Sequence, residues 1–371
     1  MRIIKVSENI PFVSSDTKKK KTVKKSILFS ILLSVSIIVI LLYYTINDQT
    51  INYLKNGNIR YEFFIAAACI NIVYWVLWGL RLKILSNAID QNFNISLIES
   101  TKIVLANLFL ANITPSMAGG EPVRIYLLNK KGLNVGGATA ATLGERLLDA
   151  LFFLFCIPFA FFFFGNYITN DYLKIGLYIA VILFILFVIL FIYTIRQPEK
   201  IKKFIIKIAS FLNRFRKKEN PSPHILNRIS KEVDNFHDSM TFFVTKGKKN
   251  LLFAGIITAL FWMTGWIIPI FLLMGLGIEP FILESCAAQI LLVLIAMMPT
   301  TPGSSGVSEG GVAALYGVFI NASLLGVFVL LFRFITYHMG LIVGAIFQYK
   351  IFKSVASFST DMISTDEQNE D

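Results

Sequence analysis

Apolar residues run along this chain in blocks longer than a soluble helix needs. Six of them, roughly 26–46, 61–80, 138–164, 173–195, 251–274 and 324–347, are long enough to cross about 30 Å of hydrocarbon as helices. Two further apolar blocks, roughly 97–118 and 281–320, are interrupted. The first interruption reads Thr114-Pro115-Ser116-Met117-Ala118-Gly119-Gly120-Glu121, and the second reads Thr301-Pro302-Gly303-Ser304-Ser305-Gly306-Val307-Ser308-Glu309. In both, a Thr-Pro pair closes an apolar run, a Gly stands four residues after the Pro, and a Glu follows. Pro removes a backbone donor and Gly loosens a helix. In hydrocarbon, backbone groups freed in this way must be satisfied by protein or by a wet cavity. The pattern predicts an all-α polytopic membrane protein with about six full transmembrane helices and two re-entrant broken-helix hairpins.

The polar positions orient these elements. If each broken block dips in and returns to the side it left, both termini share one face, and 30 of the 35 Lys+Arg fall there. Lys55, Arg60 and Lys174 fall on the other face, and Arg146 and Arg333 lie within spans. The positive-inside rule then places both termini in the cytoplasm. The block at 97–118 enters from the cytoplasm and the block at 281–320 from outside, so the two units form an inverted-topology repeat, the sequence pointer to a transporter site. Ile98-Glu99-Ser100 opens the first unit and Leu283-Glu284-Ser285 the second. The expected organisation is a basic cytoplasmic leader (1–25), a transmembrane domain (26–350) and a polar cytoplasmic tail (351–371). The repeat cores are 61–164 and 251–347. The segment 196–250 between them holds 14 Lys+Arg against five acids. Ile201, Phe204, Ile205, Ile208, Phe211, Leu212 and Phe215 recur there at helical spacing, which fits a helix lying on the cytoplasmic leaflet.

Composition changes this picture little. The chain has 371 residues, 55% hydrophobic and 16% charged, where globular domains run nearer a quarter charged. The net charge of +12 follows the membrane and does not signal nucleic acid. The first apolar block follows a Lys-rich leader and is too long for a signal-peptide core, so no cleaved signal is expected. Cys69, Cys156 and Cys286 sit in apolar runs and are expected to pack as small apolar residues. No His/Cys/carboxylate set has metal-ligand spacing, and no nucleophile elbow or Walker loop is present. No cofactor and no ATP hydrolysis are expected.

Charges inside the spans are the candidate chemistry. Glu145-Arg146 and Asp149 stand early in the block 138–164, with Arg146 roughly 12 Å and Asp149 roughly 16 Å along it at helical rise. Arg333 lies roughly 14 Å along its own span, and His338 follows. A charge at mid-membrane costs at least about 2.5–3.5 kcal/mol and needs a partner. Arg offers a planar fork matched to phosphate, so Arg146 and Arg333 are candidates to bind an anionic headgroup. Glu145 and Asp149 would hold Arg146 or take part in proton coupling. Arg124, beside the Gly119-Gly120 turn and within reach of Glu121, is a third candidate. Asn107, Asn112 and Gln289 could equally satisfy broken backbone or touch substrate. An internal salt-bridge cluster that only fixes helix packing stays open beside these readings.

Several of these stretches also resemble a known family. Thr114-Pro115 with Gly119-Gly120-Glu121-Pro122-Val123-Arg124 carries the resemblance. So do Gly144-Glu145-Arg146 with Asp149, and Pro299-Thr300-Thr301-Pro302-Gly303 with Gly306 through Glu309-Gly310-Gly311. Together they resemble the transmembrane region of lysylphosphatidylglycerol synthases, a flippase-like family that includes uncharacterised protein family 0104. The resemblance covers roughly 20–350 and implies movement of aminoacylated phospholipids between leaflets, with some members tied to polyprenyl-linked glycosylation. The soluble aminoacyl-transferase domain of the full synthases has no counterpart after the last span, so lysyl transfer is not carried over.

The expectation is therefore a lipid transporter in the cell membrane that moves an anionic phospholipid or a polyprenyl-phosphate-linked lipid. Arg124, Arg146 and Arg333 would engage the phosphate. Thr114, Pro115, Gly119, Gly120, Thr301, Pro302, Gly303 and Gly306 would floor the cavity. Glu121, Glu145, Asp149 and Glu309 would tune or gate it. Membrane lipids are the expected partners, with a second copy of the chain or lipid-glycosylation enzymes as the protein partners this reading admits. An intramembrane glycosyltransferase or accessory subunit, and a scaffold that transports nothing, are the alternatives.

Overall fold

The computed structural model describes residues 48–57, 59–90, 92–114, 119–167, 171–200, 223–296, 304 and 306–347, with a few isolated positions besides. The leader, most of the first apolar block, the C-terminal tail, the amphipathic stretch after residue 203, and Pro115, Thr301, Pro302 and Gly303 lie outside the described residues.

The elements, in order, are α1 (Asp48–Asn56), α2 (Tyr61–Ile89), α3 (Leu97–Ile113), α4 (Gly120–Lys130), α5 (Val135–Phe164), α6 (Asp171–Arg196), α7 (Pro223–Thr245), α8 (Lys248–Gly275), α9 (Ile282–Ala296), α10 (Val307–Tyr316) and α11 (Ala322–Arg333). A π-helical turn, Phe334–His338, continues α11. Among the described residues, four helices are long and apolar enough to cross a membrane: Tyr61–Ile89, Val135–Phe164, Lys248–Gly275 and Ala322–Phe347. Their outward faces carry large apolar side chains such as Ile65, Ile72, Phe155, Phe162, Leu252 and Ile342. Water would not tolerate so continuous an apolar surface, whereas acyl chains solvate it. Cys69 is exposed on this surface and not buried as its apolar run suggested, while Cys156 and Cys286 are half-buried.

The same succession occurs twice: a long helix, a short hairpin, a long helix. In the first, Ser96 and Glu99 cap α3 reciprocally, and Lys131, just past α4, pairs with Glu99. The start of α3 therefore meets the end of α4, and the two helices run antiparallel. In the second, Gln289 Nε2 donates to the Tyr316 hydroxyl at 2.9 Å, which donates to the Ser285 carbonyl at 3.3 Å, so α9 and α10 are antiparallel too. Each interrupted block opens an antiparallel helix pair whose first arm, Leu97–Ile113 or Ile282–Ala296, is shorter than the long helices.

The two long lead helices, α2 and α8, pack against each other along their length. The Arg60 amide donates to the Gly275 carbonyl at 2.9 Å at one end. Tyr74 stacks on Phe261 with centroids 4.0 Å apart further along. The contacts fall in reverse order, so the two helices are antiparallel. The π turn after α11 frees carbonyls that a regular helix would use. Asn71 of α2 donates to Ile335 O at 2.7 Å and Asn112 of α3 to Tyr337 O at 3.4 Å, while the Tyr337 hydroxyl donates back to Asn112 O at 3.1 Å. Asn112 thus satisfies irregular backbone, and two asparagines of the first unit fasten the last helix of the second.

Helix α7 continues the polar linker. Its Val233, Met240 and Phe243 are buried, and Glu232 accepts a 2.7 Å hydrogen bond from the Gly136 amide in the first turn of α5. The linker therefore docks on the helical body through its second half.

Replacing Asn71 by Leu leaves the Ile335 carbonyl without its side-chain donor. The expected cost is about 0.6–1.7 kcal/mol, the range for hydrogen bonds between membrane helices. It should appear as a lower thermal midpoint of the detergent-solubilised protein.

Candidate functional site

Each break must find partners for the backbone it frees. At the first, the Thr114 hydroxyl donates to the Leu110 carbonyl at 2.7 Å and accepts from the Gly119 amide at 2.8 Å, splinting the chain across the interruption. The Gly119 amide is thereby committed to Thr114 and is not available to an anion. Gly120 lies against the Asn107 side chain, with no room for a Cβ between them. At the second break, Gly306 stands at φ +91°, where an L side chain is strained. Its amide donates to Glu309 Oε2 at 2.6 Å.

Just past the first break lies a buried charge cluster drawn from three helices. Glu145 of α5 accepts from Arg81 Nε of α2 at 3.2 Å, from Arg124 Nη1 of α4, and from Trp78 Nε1 at 3.4 Å. Arg81 Nη1 also donates to Asp149, which accepts from Trp262 Nε1 of α8 at 2.8 Å. Arg146 turns away from both. Its Nε and Nη2 donate to Glu121 Oε1 at 2.9 and 2.6 Å, while its contact with Asp149 is a looser 3.6 Å. Arg124 stands 3.6 Å from Glu121 and packs over the Trp78 ring. The cluster's charged groups are three guanidinium groups (Arg81, Arg124, Arg146) and three carboxylates (Glu121, Glu145, Asp149), a balanced set.

This arrangement corrects two expectations. Glu145 and Asp149 do not chiefly hold Arg146; they hold Arg81 and Arg124. Ending the span at residue 80 leaves Arg81 among the cytoplasmic charges. The helix instead runs on to Ile89, and Arg81 is buried inside it. Leu82, Leu85 and Ile89, continuing the apolar spacing past Arg81, were the signal that the span had not ended. Trp78, Thr258 and Trp262, which complete the surroundings of Arg81 and Asp149, carried no sequence signal of their own.

The second unit contains an equivalent of one part of this cluster. Arg333 Nε donates to Glu309 Oε1 at 2.9 Å, the same atoms and distance that join Arg146 to Glu121. Arg146 and Arg333 stand equally far in sequence beyond the Pro of their Thr-Pro pairs, a regularity visible in the chain once the pairing is known. The acid that Arg333 lacks on its own helix comes from the helix that follows the break. The two pairs differ in exposure. The side chains of Arg146 and Glu121 are 38% and 20% exposed, against 4% and 0% for Arg333 and Glu309. Both oxygens of Glu309 are engaged, whereas Glu121 Oε2 accepts no hydrogen bond. Donors are also left over in the first unit: Arg124 Nε and Nη2 and Asn107 Nδ2 are buried without hydrogen-bond partners. Gln289 serves backbone packing through Tyr316 and does not reach either pair through that bond. His338 Nδ1 lies 3.1 Å from the Arg333 carbonyl on its own helix.

Helix-only construction among the described residues, long apolar spans and charges sequestered between them define a polytopic helical membrane protein. Residues 27–344 match the family described as the lysylphosphatidylglycerol synthase TM region, and the chain belongs to that family. It is similar to a UPF0104 membrane protein of Archaeoglobus fulgidus, with 32% identity over 332 residues, 88% of this chain and 98% of that protein. UPF0104 membrane proteins of Methanocaldococcus jannaschii (28% identity, 88% of this chain and 95% of that protein) and Pyrococcus horikoshii (25%, 89% and 98%) are also similar. No solved structure matches the chain.

Arg81→Met leaves Asp149 and Glu145 short of a buried partner, and should cost about 3–5 kcal/mol, as breaking a buried ion pair does. The double variant Arg81→Met/Asp149→Asn keeps the cluster balanced and should recover more than half of that loss. Thermal midpoints of the wild type, both single variants and the double variant measure the coupling.

Proposed function

We propose that this protein carries a phosphate-bearing anionic lipid, either a phospholipid or a polyprenyl-phosphate-linked lipid, across the cell membrane, and that it does so as a transporter and not as an enzyme. The observation that carries the reading is the Glu–Arg pair that recurs in both units, open in one and sealed in the other. Alternating exposure of two equivalent sites is what a lipid carrier requires. A headgroup must be met on one face, sheltered in the bilayer and released on the other.

In this reading the six long blocks cross the membrane, the two hairpins dip from opposite faces, and both termini are cytoplasmic. The units are then an inverted-topology repeat, and the antiparallel packing of α2 on α8 supports that arrangement. Arg146, half-open beside the first break, meets the phosphate. Arg124 adds its unpartnered edge from behind, because guanidinium donors are matched to phosphate oxygens. Rocking one unit against the other would close the Arg146–Glu121 side and open the Arg333–Glu309 side. The acyl or polyprenyl chains stay outside, along the apolar faces of the long helices. Membership in a family named for a lipid synthase's membrane region supports a lipid role.

Reconstitution into liposomes with a panel of headgroup-labelled lipids tests this. The wild type should exchange at least one anionic member of the panel between leaflets. Arg146→Gln should slow that exchange about tenfold or more, since a charge-assisted hydrogen bond is worth roughly 1.5–3 kcal/mol. No wild-type exchange across the whole panel would reject the carrier reading and favour an accessory subunit in lipid-linked sugar assembly.

A further inference from the structure

The first-unit cluster is electrically complete before any cargo arrives. Arg81, Arg124 and Arg146 face Glu121, Glu145 and Asp149, three charges of each sign. A phosphate diester brought to Arg146 leaves the cluster with one excess negative charge in a site walled by apolar helices. An uncompensated buried charge is strongly disfavoured, so either a carboxylate must leave or a proton must enter. Glu145 and Asp149 cannot leave, because both are buried and tied into Arg81, Arg124, Trp78 and Trp262. Glu121 differs from them. It is the acid most exposed of the three, and it holds the one guanidinium that is open. Like Asp149, it has one buried oxygen that accepts no hydrogen bond, here Oε2, and its Oε1 alone serves Arg146 and Arg124.

We infer that the Glu121 carboxylate takes up one proton from the aqueous phase when an anionic headgroup binds, with the phosphate replacing it on Arg146, so that lipid binding is coupled to proton uptake. This rests on the carrier reading above and adds its coupling ion. The balance closes: one anion and one proton enter together, and the cluster returns to neutrality. A protonated carboxyl becomes a donor, and a phosphate oxygen is an acceptor for it.

The groups around Glu121 support the assignment. From α5 it faces Arg146, with Asp149 and Glu145 behind; on its own helix it faces Arg124; from α2, Arg81 stands across the cluster. On α3, the other helix packed against α4, the titratable side chains are Glu99 and Lys102. Both lie in the first two turns, and Glu99 pairs with Lys131 beyond the far end of α4. Its counterpart Glu309 is engaged through both oxygens, by Gly306 and by Arg333. In this conformation, then, only the first unit is set to take the proton.

Isothermal titration of the full-length protein in detergent with short-chain phosphatidylglycerol, repeated in buffers of different ionisation enthalpy, counts the protons taken up. At neutral pH the wild type should take up about one proton per lipid, with affinity falling about tenfold per pH unit as the pH rises. Glu121→Gln, nearly isosteric and already neutral, should bind with no proton uptake and with affinity independent of pH. Wild-type binding without proton uptake would overturn the coupling while leaving the carrier reading intact. Uptake that persists in Glu121→Gln would overturn the assignment to Glu121. The wild-type proton count stands even if the variant fails to fold. Glycerophosphoglycerol, which has the headgroup phosphodiester and its single charge but no acyl chains, should bind far more weakly. Equal binding of the two would overturn the lipid reading on which the inference stands.

Discussion

A carboxylate cannot stay ionised in hydrocarbon without partners, and Glu145 shows how this chain meets that constraint. Its side chain is fully buried, and it is held by Arg81 from one helix, Arg124 from another and the Trp78 indole. Removing water from Arg81, Arg124, Glu145 and Asp149 is costly, and the cost is offset only if each has an opposite neighbour at hydrogen-bonding distance. Helices α2, α4 and α5 must therefore arrive at one point with their charged positions in register. The short hairpin helix α4 is placed by this requirement as much as by apolar packing. Trp262 ties α8 into the same point through Asp149.

The two units solve the same problem with different completeness. Each sets a Glu just past a Thr-Pro break against an Arg on the following long helix. In the second unit the pair is closed, capped by the Gly306 amide and covered by Tyr337, whose ring lies 4.1 Å from the Arg333 guanidinium. In the first it opens outward, with buried donors to spare on Arg124 and Asn107. Two copies of one motif in two degrees of closure give the fold a built-in asymmetry without any difference in element order. The Asn71 and Asn112 contacts to the π turn join the first unit's helices to the backbone just past Arg333.

Much of this was legible in the chain. Element type followed from long apolar blocks, and the two breaks from Thr-Pro and Gly. Glu145, Arg146, Asp149 and Arg333 stood out through the cost of charge in a span, and Glu121, Arg124 and Glu309 through their place beside the breaks. What misled was a local rule applied at a boundary. Arg81 sits where an apolar block first admits a charge, so it reads as the end of a helix, although the apolar spacing resumes immediately after it.

The sequence by itself determined that the chain is helical, that it belongs in a bilayer, where it is broken, and which side chains are too costly to leave unpartnered. Those properties depend on neighbours a few residues apart and on transfer between water and oil. Only the tertiary structure decided which acid holds which guanidinium, that Asn112 serves backbone while Asn107 keeps a spare donor, and that one Glu–Arg pair is open while its counterpart is sealed. Those depend on helices distant in sequence meeting at a few ångströms. Ion pairing is set by that approach in space and leaves little periodic trace along the chain.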